Sequence, residues 1–305
     1  MLVVKSMTIL RDLRMYSRAK YKEGIDWKAF KDPVGSKKYD GAHYFLQIDT
    51  DGSPRFFSRR ESVKGNFPER TEKLPHLTDI KLPHRAGEVY SVELIHTGHE
   101  KEAPESHPRV SGILNSLKDK AIQTQKITGP VRAVLLDVIQ PKIATYGEKL
   151  EHLKSIERDF GKSTVLFVPD VKITKNEIEK LLKDTKDKGE EGVVITSLSS
   201  PEDSNIRAKI KHFNTYNLRI TGITREFTIG GDPKNSAGAL ELSDATGKYV
   251  GNVGTGFTRD QRIDIFENPN SWMNKLVQVK AMPSVGDKLR MAVFNGEADG
   301  DIDTI

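Results

Sequence analysis

The sequence predicts an α+β protein in two domains: a mixed larger part over residues 1–215 and a small all-β barrel over 216–305. Three observations predict it. The chain has 305 residues, beyond the size at which one hydrophobic core usually stops growing. Strand-like and helix-like periodicities are interleaved as far as Tyr216. Beyond it the helical patterns largely vanish, and short β runs separated by Gly, Asp and Asn turns take over.

Residues 42–48 roughly alternate apolar and polar, Asp49-Thr50-Asp51-Gly52 supplies turn chemistry, and 55–58 read as the returning strand of a hairpin. Segments 89–95 and 131–139, rich in β-branched residues, are further strands, with a helix expected between them around 113–122. Apolar residues at helical spacing predict helices over 150–160 and 176–188; the second turns Ile178, Leu181 and Leu182 inward and is ended by Gly189. Segments 193–196 and 207–213 are short strands. After the boundary, 218–223, 239–242, 249–253 and 276–280 read as strands and 259–267 as one helix, a density that suggests a small barrel. No internal repeat or low-complexity tract interrupts the chain.

Composition narrows the chemistry. Charged residues make up 30% of the chain, and 48 Lys+Arg against 43 Asp+Glu give a net charge of +5, a mild basic excess compatible with a polyanionic partner. The absence of cysteine removes disulfides, thiolate nucleophiles and cysteine-based zinc sites. Residues 1–10 hold a short apolar run broken by Lys5 and followed by Arg11, Asp12 and Arg14, which does not read as a leader. No stretch approaches ~18 consecutive apolar residues. The expectation is a soluble, cytoplasmic, monomeric protein with no membrane partner.

Lys38-Tyr39-Asp40-Gly41 is the pivotal tetrapeptide, with a strand running out of it. Such a pattern arises often by chance. Downstream, in order, come Ser58-Arg59, Val92-Glu93-Leu94, Leu135-Leu136-Asp137-Val138, Glu191-Gly192-Val193-Val194 and Lys209-Ile210-Lys211. The ordered series resembles the motifs of the covalent nucleotidyltransferases: ATP-dependent DNA ligases, RNA ligases and mRNA capping enzymes. In the second domain, the stretch from Tyr249 through Gly251, Asn252, Gly254 and Gly256 to Phe257 resembles a phrase of the OB-fold domain of ATP-dependent DNA ligases, which favours ligase over capping enzyme. The compact length is similar to that of small phage or viral ligases. The resemblance implies a nucleotidyltransferase (adenylation) domain with antiparallel sheets and flanking helices, followed by an OB-fold barrel.

It also implies ATP and Mg²⁺ as cofactors, nicked double-stranded DNA as partner, and a lysyl–AMP intermediate on Lys38. A lysine amine that attacks the α-phosphate of ATP must first lose its proton, from an ordinary pKa of ~10.4. Lys209 and Lys211, two residues apart, share one strand face, where they would bind phosphate oxygens and favour that loss. By resemblance, Glu93 contacts the ribose side, Glu191 and Glu93 are the metal carboxylates, and Arg59 binds sugar or phosphate. Tyr39, beside the nucleophile, belongs to the nucleotide-binding set, and Asp40 would fix the loop that presents Lys38.

Several positions depart from the family pattern. Ser36 stands where a glutamate usually helps recognise adenine. His43 replaces an arginine, so a cationic contribution there would fade as pH rises through ~6.5. Leu136 replaces an aromatic ring that stacks on the base. At the C-terminal end, Leu289, Arg290 and Phe294 resemble the start of the family's last motif, but Glu297, Asp299, Asp301 and Asp303 stand where basic residues are expected, leaving Lys288, Arg290 or a residue outside the motifs to orient pyrophosphate. The acidic tail reads as a frayed, solvated terminus. RNA ligation, guanylyl transfer and a non-catalytic nucleic-acid-binding relative remain the alternatives.

Overall fold

The computed structural model describes residues 20–22, 25–62, 65–97, 107–161, 165–199, 207–282 and 288–305. The start of the chain, read above for a leader, lies outside them. Two compact units emerge, Met1–Lys211 and His212–Ile305.

In the first unit the strands β1 (Lys20–Lys22), β2 (Pro33–Lys37), β3 (Ala42–Ile48), β4 (Pro54–Ser58) and β5 (Val89–Ile95) are followed by β6 (Arg132–Gln140), β7 (Leu166–Phe167), β8 (Val171–Lys172), β9 (Gly192–Ser197) and β10 (Arg207–Lys211). They form two largely antiparallel sheets, ordered β4-β3-β5-β6-β7 and β1-β10-β9-β2-β8. The helices are α1 (Pro75–Thr78), α2 (His107–Asn115), α3 (Lys118–Thr128), α4 (Tyr146–Phe160) and α5 (Lys175–Asp187). The alternation read in β3 has a physical basis: Tyr44, Leu46 and Ile48 enter the main core while His43 takes the opposite face. Leu153, Ile156 and Phe160 of α4 close that core from the side.

Helix boundaries differ from expectation for identifiable reasons. The helix expected over 113–122 is two helices, α2 and α3. The side chain of Lys73, itself buried, donates to the Leu114 and Ser116 carbonyls at 2.9 and 2.6 Å and so terminates α2. Helix α4 begins at Tyr146 because Thr145 and Glu148 form a reciprocal capping box. The strand expected over 207–213 ends at Lys211, where pairing with β9 stops.

The second unit holds β11 (Asn214–Phe227), β12 (Pro233–Ser243), β13 (Tyr249–Val253), α6 (Arg259–Glu267), α7 (Pro269–Trp272), β14 (Leu276–Met282) and β15 (Arg290–Glu297). Its sheet is antiparallel and ordered β13-β12-β11-β14-β15 around an apolar core that includes Leu218, Leu240, Val250, Ile265, Val277 and Phe294. The closed barrel expected from the sequence is not formed as a continuous ladder. Only the backbone bonds Leu289 N–H to Val250 (2.8 Å) and Phe294 N–H to Thr255 (2.9 Å) link its two edges among the described residues. Met291, with a φ of 50°, has a left-handed backbone that interrupts regular pairing in β15.

The acidic tail is not frayed. Asp303 accepts from the Asn217 N–H through its carboxylate at 2.7 Å, its own N–H reaches the Asn217 carbonyl at 2.9 Å, and its carbonyl accepts from Ala245 at 2.8 Å. The aspartate that departs from the family pattern therefore pins the C-terminus to β11. Among the described residues no helix is long and apolar enough to cross a membrane.

Candidate active site

Two glycines set the loop that carries Lys38. A Cβ on Gly41 would lie 2.3 Å from the Leu94 carbonyl oxygen, and one on Gly192, whose φ is +140°, would lie 2.0 Å from that of Ile210. Only glycine permits these approaches. With Gly192 against β10, its carbonyl accepts from the Lys38 N–H at 2.8 Å, and Glu191 is delivered beside the Lys38 side chain. The family pattern's Glu-Gly pair thus has a steric cause here.

The Glu191 carboxylate is buried and shared: one oxygen pairs with Lys38 Nζ, the other with Lys211 Nζ at 2.9 Å. The neighbouring Glu190 binds Lys37 Nζ at 2.6 Å instead, so the two glutamates divide between the two lysines. Lys38, Tyr39, Ser36, His43, Arg59, Glu93, Leu136 and Lys209 all line one cavity of about 160 Å³ between the two sheets. Lys211 joins it through Glu191. Glu191 and Lys211 are not among the lining residues and reach the cavity through Lys38.

Burial pushes the Glu93 carboxyl up to about 8; Lys38 opposes that shift, and the Glu191 and Asp40 carboxylates reinforce it. At neutral pH it holds a proton and can donate a hydrogen bond. Lys209 is pushed down by burial and by the charges of Lys38, Arg59 and Lys211, which marks a site with unspent positive potential. Among the described residues Lys209 has no ion-pair partner.

His43 corrects the sequence reading. Burial, then the nearby charges of Arg59, Lys209 and Lys38, lower its pKa to about 3, so it is neutral throughout the physiological range and does not lose charge near ~6.5. Its Nε2 is 2.8 Å from the Ser91 hydroxyl and its Nδ1 faces Arg59 Nη1 at 3.4 Å. The permanent cation at this corner is Arg59. Lys288, a candidate for pyrophosphate, donates to the Tyr249 carbonyl at 2.6 Å and sits 4.1 Å from the centre of that tyrosine ring. Asp40 accepts from the first N–H of α2, at His107, at 3.4 Å.

Sequence reasoning missed one part of the cavity. Arg207, two residues before Lys209 on the same strand face, donates to the buried Asp137 at 2.5 Å, and Lys149 lies 3.2 Å from the other carboxylate oxygen. The Arg207 guanidinium rests 5.1 Å from the centre of the Tyr146 ring. Leu136 is the extra residue of a bulge between the Val92–Leu135 and Ser91–Asp137 pairs, which turns it into the cavity next to this network. The i, i+2 spacing of Arg207 and Lys209 was the available signal. Phe45 and Tyr146 also line the cavity and supply the aromatic surface that Leu136 lacks.

Neither a protein-family model nor a curated protein matches this chain. Solved structures do match. One, from a study of DNA binding with a minimal scaffold in Lig E DNA ligases, is 17% identical with a TM-score of 0.68, covering 92% of this chain and 98% of its own. Pmar-Lig_PreS3 gives a TM-score of 0.66 at 16% identity over 88% of this chain and 64% of that one. Pmar-Lig_Pre gives 0.65 at 15% identity over 94% and 68%. At such identities the likeness is one of fold, and the chain has the fold of these solved structures.

Proposed function

We propose that this chain is an ATP-dependent DNA ligase that seals 3′-OH/5′-phosphate nicks in duplex DNA through a lysyl–AMP intermediate on Lys38. The observation that carries the reading is the Lys38–Glu191–Lys211 chain at the cavity wall, with Lys209 and Arg59 beside it. Glu191 is in contact with the Lys38 ammonium and is placed to take its proton. The freed amine attacks the α-phosphate, a P–N bond forms and the P–O bond to pyrophosphate breaks. Lys209 and Lys211 face the charge that develops on the phosphoryl oxygens. AMP then passes to the 5′-phosphate of the nick, and the 3′-hydroxyl displaces it. Glu93, protonated at neutral pH, has the hydrogen to donate to an acceptor on the sugar.

Glu191 and Glu93 would hold Mg²⁺, an oxygen-binding cation that would displace the proton which burial chiefly, and the Glu191 carboxylate in addition, keeps on Glu93; the donor role toward the sugar would belong to the metal-free site. Bound there, the ion would neutralise phosphate charge. In this reading residues 1–215 are the nucleotidyltransferase domain and 216–305 an OB-type domain that tracks the nucleic-acid backbone.

Sealing of a labelled nicked duplex tests the reading. Lys38→Ala should fail with ATP yet close a nick already carrying a 5′-adenylate, because the last step needs no lysine nucleophile. A wild-type protein that labels with GTP and not ATP would instead favour guanylyl transfer.

A further inference from the structure

A second cleft, of about 550 Å³, opens in the first unit between α2 and α3. Among the described residues its walls include His96, Arg109, Ser116, Lys120, Thr124 and Thr128, and no carboxylate. The His96 ring is buried, with Nε2 3.0 Å from the Gly129 carbonyl oxygen, and forms a fixed wall. The Ser116 and Thr128 hydroxyls donate to the Ile113 and Thr124 carbonyls, each at 2.8 Å. Arg109, Lys120 and Thr124 are thus the donors offered to an incoming anion.

Both cations are exposed at the rim. Such an arrangement does not enclose a small anion; it suits a chain of phosphates lying across an open groove. Lys118 and Lys126 on α3 extend the positive surface against a single aspartate of that helix, Asp119. Position adds the second argument. Glu93 lies on β5 and His96 just past the end of that strand, a separation of three residues, or roughly 10 Å of extended chain. The Asp40 contact to His107 also ties the start of α2 to the loop that carries Lys38.

We infer that the α2–α3 cleft binds the sugar-phosphate backbone of the nucleic-acid substrate next to the bond being made. The inference rests on the strand-joining reading above. It assigns sequence-independent grip to Arg109 and Lys120, which lie outside the adenylation cavity.

The test measures nicked-duplex affinity by fluorescence anisotropy over a salt series, for wild type and for the double variant Arg109→Gln, Lys120→Gln. Labelling of Lys38 by radioactive ATP serves as the folding control, since both side chains are exposed and neither lines the adenylation cavity. With two phosphate contacts removed, the slope of log affinity against log salt should become shallower by about 1.8, and affinity near ~0.1 M salt should fall more than about tenfold. Inorganic phosphate should compete no better than chloride at equal ionic strength. If the variant keeps the wild-type slope and affinity while wild type binds duplex and adenylates, the cleft assignment is overturned and the joining reading survives. If phosphate displaces duplex from wild type at low concentration but not from the variant, the cleft is a small-anion pocket and the assignment is also overturned. If wild type binds no duplex at any salt, both readings fall.

Discussion

The two units bury polar groups in different ways. The first buries Lys73, Arg85, Asp137, Lys149 and Glu191, and the Asp137 and Glu191 carboxylates are each held by two cations, most of them reached across long stretches of sequence. Apart from His212, the second buries among its described residues only Ser236, Ser243 and Asp244, and Asp244 is satisfied largely by its own turn, accepting from the Thr246 and Lys248 N–H groups at 2.9 and 3.2 Å. Buried charge pairs give little net stability over an apolar packing of the same volume. The Asp137 and Glu191 pairs reach one cavity through Arg207 and Lys38, so in the proposed reading the first unit holds these charges in fixed opposition there.

Breaking the Asp137 network gives the largest expected effect. Asp137→Ala leaves Lys149 and Arg207 without their carboxylate and should cost about 3–5 kcal/mol in urea denaturation, as loss of one partner of a buried pair does. Ser236→Ala in the second unit, which loses a hydroxyl hydrogen bond to Glu226, should cost only about 1 kcal/mol. Equal costs would erase the contrast between the units.

Glu93 sharpens the comparison through pH. Its folded pKa, about 8, exceeds the ordinary 4.5, so the native state holds a proton that the unfolded chain releases. This contribution is fully present below about 4.5 and is lost as pH rises through about 8. The melting temperature of wild type should therefore decline across that window more steeply than that of Glu93→Gln. Parallel pH profiles for the two proteins would show that the Glu93 carboxyl is not held protonated.

His43 acts in the opposite direction. With a folded pKa of about 3 against an ordinary 6.5, its contribution is present above 6.5 and is lost as pH falls through about 3. His43→Gln should blunt acid destabilisation while leaving ATP affinity unchanged in its pH dependence between 6 and 8, roughly the range around the ordinary imidazole value. A step in wild-type ATP affinity near 6.5 that the variant lacks would restore a titrating imidazole.

The smallest effect belongs to the tail. Asp303→Ala removes the carboxylate that accepts from Asn217 and should cost about 0.5–1.5 kcal/mol. No change would mean that the C-terminus is held by its backbone bonds alone.

The site was largely legible in the sequence because its chemistry is carried by short motifs whose order survives. Glu93, Lys209 and Lys211 sit on strands, Lys38 directly follows β2, and Glu191 precedes Gly192, so each has little freedom of placement. The Asp137–Lys149–Arg207 network was not legible, because its members lie on β6, α4 and β10 and only tertiary packing joins them. Charge state was hidden for the same reason: His43 reads as a titrating imidazole until burial and neighbouring cations are known. The break between α2 and α3 depends on Lys73, far upstream, and the docking of Asp303 on a strand near the start of the second unit. The bulge that turns Leu136 into the cavity was equally invisible to period-2 patterning.

The most direct test of the account is the covalent state of Lys38 itself. Wild-type protein incubated with α-labelled ATP and Mg²⁺, then run on a denaturing gel, should carry an acid-labile AMP that peptide mapping places on Lys38 and that is discharged when nicked duplex is added. Lys38→Ala should carry none, and Glu191→Ala should label far more slowly, because its carboxylate is in contact with the attacking amine. An alanine variant at Lys38 that still acquires an acid-labile AMP, or a wild type that never does, would contradict the account.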